Sequence, residues 1–126
     1  MPLTRVNASS LAEFDAALAA ALATPGERVF TLFSGKDGWC PDCEAAAPTL
    51  EAVFAEAGAG AAVTLITAKL VRDEYKGNAS HWARAHARVK LARIPTLHKW
   101  GAAKKVAELV EGECADAERV RELVVG

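Results

Sequence analysis

Two cysteines lie three positions apart in the stretch GKDGWCPDCEAAAP, which covers residues 35 to 48. Cys40 and Cys43 have three interpretations: a metal clamp, an inert structural pair, or a redox-active dithiol. A dithiol with this spacing can exchange disulfides, because the thiolate of one cysteine attacks a foreign disulfide and the second cysteine then releases the product. The choice among the three depends on where the pair lies in the fold.

The metal interpretation needs further ligands. Structural zinc sites take four ligands, commonly from two pairs of cysteines or histidines. The remaining candidates, Cys114, His81, His86 and His98, contain no second pair at zinc-finger spacing. We therefore expect no metal here. We expect the three histidines to lie on the surface and Cys114 to be a buried, small apolar residue.

The N-terminal half predicts a helix, a strand and a second helix. Ser10 and Glu13 form a capping-box pattern ahead of apolar residues at helical spacing, and TPGE at residues 24 to 27 ends this first helix. RVFTLF, residues 28 to 33, is apolar nearly throughout, as is typical of a strand buried on both faces. After the loop SGKDG, the cysteine pair opens a helix that ends near GAG at residues 58 to 60.

The C-terminal half predicts a strand in residues 61 to 71, a loop in residues 72 to 78 and a helix in residues 79 to 91. IPTLHKW and KKVAELVEG form an antiparallel hairpin around Gly101, and a final helix covers residues 116 to 124. With a short strand from Leu3 to Val6, this order predicts an α/β fold with a central mixed sheet, in a single domain over residues 1 to 126.

This organisation places Cys40 where a buried strand ends and a helix begins. The first helical turn has unpaired N–H groups and the positive end of the helix dipole, and both favour a thiolate. A free thiol has a pKa of about 8.5, so these surroundings increase the ionised fraction at neutral pH. Pro41 suits the first turn, which does not use its missing N–H. The dipole also favours Asp42, although its charge raises the pKa of Cys40. Redox chemistry is therefore the favoured interpretation.

The bulk composition narrows the choice of partners. The chain has 126 residues with 15 Lys and Arg, 16 Asp and Glu, and a formal net charge of −1. We expect it to bind neither nucleic acid nor membrane, because no long run of one charge sign is present. The N-terminal stretch does not resemble a signal peptide. The odd number of cysteines favours a reducing compartment, and we expect the protein to be cytoplasmic.

Three features together resemble the thioredoxin superfamily: WCPDC at residues 39 to 43, Ile94-Pro95-Thr96, and Pro48 within the second helix. Within it, the chain is similar to the small thioredoxin-related proteins that carry Trp-Cys-Pro-Asp-Cys in place of Trp-Cys-Gly-Pro-Cys. The loop FSGKDG, the segment LVRDEYKGNASHW and LVEGEC at residues 109 to 114 agree with this. The resemblance covers essentially the whole chain and implies the thioredoxin fold, a central mixed sheet flanked by helices on both faces.

The resemblance also implies a role for each site residue. Cys40 matches the nucleophile and Cys43 the resolving cysteine. Pro95 matches a cis proline beside the dithiol, which keeps a backbone N–H away from the thiolate and leaves the backbone of Ile94 free to pair with an extended substrate. The residues that flank and tune the dithiol are Trp39, Pro41 and Asp42.

Electrons are implied to come from NADPH through thioredoxin reductase or an equivalent reductant, with no cofactor bound to the chain itself. The implied substrates are disulfides, either small molecules similar to cystine or client proteins. We expect a thiol–disulfide oxidoreductase that works as a monomer.

The sequence departs from the thioredoxin pattern in two places. Leu32 stands near the place of a buried aspartate that moves a proton to the resolving cysteine, so that proton is expected to use Asp42 or water. The loop SGKDG is also short for the animal proteins of this group. One alternative function remains open, a redox-gated binding module in which oxidation of the pair changes affinity for a partner without disulfide turnover.

Overall fold

The computed structural model describes residues 3–126, which are organised around one five-stranded sheet. The strands are β1 (Leu3–Ala8), β2 (Arg28–Gly35), β3 (Val63–Leu70), β4 (Thr96–Trp100) and β5 (Lys105–Val110). The helices are α1 (Leu11–Leu22), α2 (Pro41–Gly60), α3 (Arg72–Tyr75), α4 (Trp82–Ala85) and α5 (Ala117–Val124). Two 3-10 turns, Lys36–Gly38 and Glu111–Ala115, complete the described chain.

The sheet is mixed, and β2 lies at its centre. β1 and β2 both pair in parallel with β3, whereas β4 pairs antiparallel with β2 and β5 antiparallel with β4. The resulting order is β1-β3-β2-β4-β5. The predicted α/β fold with a central mixed sheet is confirmed, including the N-terminal strand and the C-terminal hairpin.

Alternate residues of β2 pack on opposite faces of the sheet. Phe33 contacts Phe14 of α1 with ring centroids 5.3 Å apart, and Phe30 contacts Phe54 of α2 at the same separation. The two phenylalanines of β2 belong to separate apolar clusters, one beneath α1 and one beneath α2 and α5. Helices therefore cover both faces, as predicted, and β2 is anchored from both sides up to the residue where it ends.

The predicted N-terminus of α1 is confirmed, with one change in the capping arrangement. The Ser10 hydroxyl accepts the backbone N–H of Glu13 at 3.2 Å. The Glu13 carboxylate reaches back to the N–H of Ser9 at 2.8 Å, one residue before the position that a capping box uses. Hydrogen bonds from Ser9 lower the pKa of the Glu13 carboxyl, because they stabilise its ionised form.

The segment between β3 and β4 does not follow the prediction. The predicted loop contains α3, and the helix predicted over residues 79 to 91 is reduced to the four residues of α4. His86 supplies the reason: its Nδ1 accepts the backbone N–H groups of Arg88 at 3.1 Å and Val89 at 3.3 Å. Its Nε2 binds Asp15 of α1 at 2.8 Å. A side chain that takes up these N–H groups competes with helical hydrogen bonding and ends the helix.

A buried hydrogen bond joins the two strands at the centre of the sheet. The indole N–H of Trp100 donates to the hydroxyl of Thr31 at 2.8 Å, and both side chains are buried. We expect Thr31→Val, which keeps the shape but removes the acceptor, to lower the free energy of unfolding by about 1–3 kcal/mol, because a buried donor is left unpaired. Urea denaturation measures this, with Thr4→Val on the exposed side of β1 as the matched control. Equal stabilities of the two variants would contradict the prediction.

Candidate active site

The two cysteines lie where β2 leads into α2. After Gly35 the chain makes a tight 3-10 turn in which Asp37 and Gly38 have φ angles of 61° and 76°, both in the left-handed region. This turn reverses the chain and delivers Trp39 and Cys40 to the start of α2. The predicted position at a strand-to-helix junction is confirmed.

Cys40 and Cys43 are paired as a disulfide. Cys40 is the N-cap residue of α2, and its sulfur accepts the backbone N–H of Cys43 at 3.2 Å. The sulfur of Cys43 accepts a different N–H, that of Gly35, at 3.3 Å. Cys40 is 7% exposed and Cys43 is 3% exposed. Each sulfur therefore has its own backbone donor, and Cys40 is the more accessible of the two.

Gly35 brings the end of β2 unusually close to the dithiol. A Cβ atom at this position would lie 2.9 Å from the Cβ of Cys40 and 3.0 Å from Cε2 of Trp39. Such distances are shorter than van der Waals contact, so a side chain here would displace the cysteine or the tryptophan. The absence of a side chain also lets the N–H of Gly35 reach Cys43.

We expect Gly35→Ala to lower the free energy of unfolding by about 1–3 kcal/mol, because overpacking forces the backbone to shift. The matched control is Gly60→Ala, where a Cβ would meet nothing within 4 Å. Alanine is also the better helix former, so this control should be neutral or slightly stabilising. Thermal unfolding of both variants tests the difference, and a Gly35→Ala protein as stable as the control would refute it.

Trp39 links the 3-10 turn after β2 to the neighbouring strand β3. Its indole N–H donates to the carbonyl of Leu70, the last residue of β3, at 2.9 Å. Its ring lies 6.3 Å from that of Tyr75, which is buried in the cluster beneath α1. Trp82 packs against the same cluster, so both aromatic residues serve in packing.

Pro41 and Asp42 occupy the first two helical positions of α2, and both are exposed. Pro41 needs no hydrogen-bond acceptor at this position. The carboxylates of Asp42 and Glu44 lie in the first turn, where the helix dipole favours negative charge. Pro48 lies inside α2, as predicted.

The Ile94–Pro95 peptide bond is cis, as predicted, and it lies at the same edge of the sheet as the dithiol. The β2–β4 ladder ends with Thr96 opposite Phe33, so Ile94 and Pro95 lie just beyond it. Pro95 is buried and Ile94 is partly exposed. The backbone of Ile94 is outside the ladder, at the end of β2 that leads to Cys40.

Cys114 lies behind this segment. The carbonyl of Pro95 accepts the N–H of Glu111 at 2.7 Å and lies 3.8 Å from the sulfur of Cys114, whose S–H has a nearer acceptor in the carbonyl of Leu109 at 3.5 Å. Cys114 is fully buried, as predicted, and burial raises the pKa of its thiol to about 12. It is an unpaired cysteine that contacts the proline segment from the side away from solvent.

We expect Cys114 to resist alkylation in the folded protein. At pH 8 a thiol with a pKa of about 12 is ionised in only about 1 in 10,000 molecules, and its sulfur is sealed from solvent. Iodoacetamide should therefore modify Cys114 only after denaturation, whereas pre-reduced Cys40 reacts in the native state. Mass spectrometry of native and unfolded samples measures this. Modification of native Cys114 as fast as a free thiol would contradict it.

Leu32 occupies the face of β2 beneath α2, where it is 8% exposed and belongs to the apolar cluster. Within residues 3–126, no aspartate or glutamate is buried. The polar residue that β2 provides on this face nearer the dithiol is Ser34, which is buried. The expected departure at Leu32 is thus present in the structure.

The prediction of surface histidines is wrong for His81 and His98, and the side chain of His86 is itself only 7% exposed. His81 is 7% exposed and His98 is 1% exposed. Burial lowers the pKa of both, and that of His98 falls to about 3. Their burial could not be read from the sequence, because it depends on tertiary contacts: His81 packs against Tyr75 and Trp82, and His98 against Phe33 and Trp100.

Among residues 3–126, no three His, Cys, Asp or Glu side chains come together in a way that could hold a metal ion. Nor does any helix in this range have the length and apolar character needed to cross a membrane.

The architecture is similar to that of solved thioredoxins. Thioredoxin O1 of Arabidopsis thaliana superposes with a TM-score of 0.66 at 20% identity, over 98% of this chain and 99% of that one. Thioredoxin O2 of the same plant also gives 0.66, at 23% identity, over 97% of this chain and 95% of the other. The chain therefore has the thioredoxin fold.

Sequence similarity points to one family among the proteins with the thioredoxin fold. The profile described as "Thioredoxin domain-containing protein 17-like, thioredoxin domain" matches residues 7–125. The chain is also 34% identical over 101 residues to thioredoxin domain-containing protein 17 of Danio rerio, which is 76% of each protein. The chain belongs to this family, and the predicted relationship is confirmed. A thioredoxin-like domain with a Cys40–Cys43 pair supports thiol–disulfide oxidoreductase chemistry in general.

Proposed function

We propose that the protein reduces small-molecule or protein disulfides through a dithiol–disulfide cycle at Cys40 and Cys43. The observation that carries this proposal is the disulfide at the first turn of α2, in which each sulfur accepts a separate backbone N–H. Hydrogen bonds of this kind favour the ionised form of a thiol, and the thiolate is the reactive form.

Cys40 is the nucleophile. Its thiolate attacks one sulfur of the substrate disulfide, so a Cys40–substrate disulfide forms as the substrate S–S bond breaks, and the leaving thiolate takes up a proton. The position of Cys40 supports this role, because it is the N-cap of α2 and the more exposed of the two cysteines. The N–H of Cys43, which points at its sulfur, stabilises the attacking thiolate.

Cys43 is the resolving cysteine. Its thiolate attacks the sulfur of Cys40, the Cys40–Cys43 disulfide forms, and the second half of the substrate leaves as a thiol. Two electrons and two protons pass from the dithiol to the substrate in one cycle. Because β2 offers Leu32 and no carboxylate on this face, the proton of Cys43 passes to water or to the nearby exposed Asp42.

The substrate groove lies between the dithiol and the proline segment. An extended disulfide substrate pairs with the backbone of Ile94, which lies beyond the end of the β2–β4 ladder. Pro95 has no N–H to donate, so no backbone donor at this position competes for the reacting sulfurs. Trp39 closes the other side, and its orientation is fixed by the carbonyl of Leu70. Pro41 and Asp42 set the exposed rim at the start of α2.

The cycle needs a reductant. Electrons come from NADPH through thioredoxin reductase or an equivalent system, which converts the Cys40–Cys43 disulfide back to the dithiol. The protein acts as a monomer in the cytoplasm, where a reducing environment keeps Cys114 as a free thiol.

The test is NADPH consumption in an assay coupled to thioredoxin reductase, with cystine and with insulin as substrates. We expect turnover with at least one of them, and we expect Cys40→Ser to reduce it to the level without protein. Cys43→Ser should also abolish steady turnover but accumulate a Cys40–substrate mixed disulfide, visible as a mass increase. Cys114→Ala, which keeps both redox cysteines, should retain most of the activity.

A second reductant distinguishes failure of thioredoxin reductase to reduce the protein from failure of the thiol–disulfide chemistry itself. If no NADPH is consumed but insulin is reduced faster by dithiothreitol with the protein than by dithiothreitol alone, the cycle stands and a different physiological reductant supplies it. If neither reductant supports turnover, the proposal is wrong. Partner binding that depends on the oxidation state of Cys40 and Cys43 would then favour the redox-gated binding module.

A further inference from the structure

A cavity of about 140 Å³ lies beside the redox turn, at the carboxyl ends of β1 and β3. Its volume is several times the ~30 Å³ share of one water molecule. In α/β sheets, ligands bind in crevices outside the carboxyl ends of parallel strands, where connections leave toward opposite faces. The cavity is next to such a place, because the connection after β3 packs on the same face as α1, whereas the neighbouring strand β2 leads to α2 on the other face.

His81 provides a buried donor at this cavity. It lines the cavity and is 7% exposed. Its Nδ1 accepts the backbone N–H of Ala83 at 3.1 Å, so the proton of the neutral ring is on Nε2. Within residues 3–126, Nε2 makes no hydrogen bond. It is also not one of the fully buried, unpaired side-chain atoms, so it keeps some contact with solvent. The ring of this cavity-lining residue therefore has an N–H that no protein group accepts.

The neutral state of this ring is favoured by its surroundings. Burial lowers the pKa of His81, which outweighs the opposing effect of Glu74, and the charge of Arg84 lowers it further. The imidazole is therefore a neutral donor at physiological pH. A neutral N–H donor binds an oxygen acceptor without itself adding charge to the site.

The charges at the cavity favour an anion. Lys36, from the turn before Trp39, and Lys69, from the end of β3, both line it, and Glu74 is the one acidic residue among its lining residues. Thr67 and Asn7 add hydroxyl and amide groups that can donate hydrogen bonds to oxygen. Two cations and three neutral donors around a small cavity match the groups that proteins use to hold carboxylate or phosphate oxygens.

We propose that this cavity binds a small oxyanion, a carboxylate or a phosphate, whose oxygens accept hydrogen bonds from Nε2 of His81 and from the ammonium groups of Lys36 and Lys69. The anion is either a free solute or the charged arm of a disulfide substrate. Both sources are geometrically reasonable, because Lys36 is on the turn that leads to Cys40. The cavity also touches Leu70, whose carbonyl holds Trp39.

Nuclear magnetic resonance titration of the oxidised protein with inorganic phosphate, and separately with acetate, tests binding directly. Ionic strength is held constant with sodium chloride. We expect saturable shifts of the amides of Lys36, Lys69 and Ala83 with at least one anion. This measurement needs no turnover, so its failure is distinguishable from failure of the proposed redox function.

Three variants identify the site. Lys69→Gln should weaken anion binding about tenfold, because it removes a charge-assisted hydrogen bond, whereas Lys69→Arg should retain it. His81→Asn can still accept the N–H of Ala83 but lacks the Nε2 donor, and it should weaken binding several-fold. The matched control is Lys104→Gln, in the exposed loop between β4 and β5, which should bind as the parent does.

The two sources of the anion are distinguished by measuring KM for two disulfide substrates. One is the dicarboxylate 3,3′-dithiodipropionate, and the other is the uncharged 2-hydroxyethyl disulfide. This arm rests on the proposed redox function. If Lys69→Gln raises KM for the dicarboxylate alone, the anion is the arm of a substrate. If KM is unchanged for both while the titration shows weaker binding, the anion is a free solute.

Either result supports the oxyanion site. Shifts that do not saturate with either anion would overturn it. An equal loss of binding in the Lys69→Gln and Lys104→Gln variants would overturn it too, because it would show general charge screening.

Discussion

The hydrogen bond from the indole of Trp39 to the carbonyl of Leu70 joins the turn before Cys40 to the end of β3. On one side of it, the turn after β2 presents Cys40; on the other, the end of β3 forms a wall of the cavity that His81 lines. This bond and the packing of Trp39 near Tyr75 hold the turn, in which two consecutive residues have φ angles in the left-handed region. The dithiol and the cavity therefore have the same support, the hydrogen bond between Trp39 and Leu70.

That support depends in turn on β2. The strand is held through Phe33 on one face and Phe30 on the other, and its neighbours β3 and β4 fix it laterally. A strand restrained in all these directions ends at a well-defined place, which is what allows the N–H of Gly35 to meet the sulfur of Cys43 at 3.3 Å. The chemistry is at the surface, but its geometry is set by the two apolar clusters beneath.

The sequence was sufficient for the elements whose patterns are local. β2 could be predicted from its apolar run, the start of α2 from Pro41 and the cysteine spacing, and the hairpin from its two alternating strands around Gly101. The segment from residue 71 to 93 could not, because its helical periodicity was overruled by side-chain hydrogen bonds, such as those that His86 makes to the backbone and to Asp15. The proximity of Gly35 to Cys40 and of Lys69 to His81 depends on the folded chain, although a glycine at the end of a buried strand is a known sign of close backbone approach.

His98 has a consequence for the conditions in which this fold persists. Its ring is enclosed between Phe33 and Trp100, and its neutral form meets Glu108 through Nε2 at 3.2 Å. Burial lowers its pKa to about 3, whereas the unfolded chain takes up a proton on this residue near the ordinary value of 6.5. The stabilisation from the neutral ring is complete above pH 6.5 and declines as the pH falls toward 3, since only the unfolded chain gains protons in that interval. This part of the stability is therefore present at near-neutral pH and is lost as the surroundings acidify.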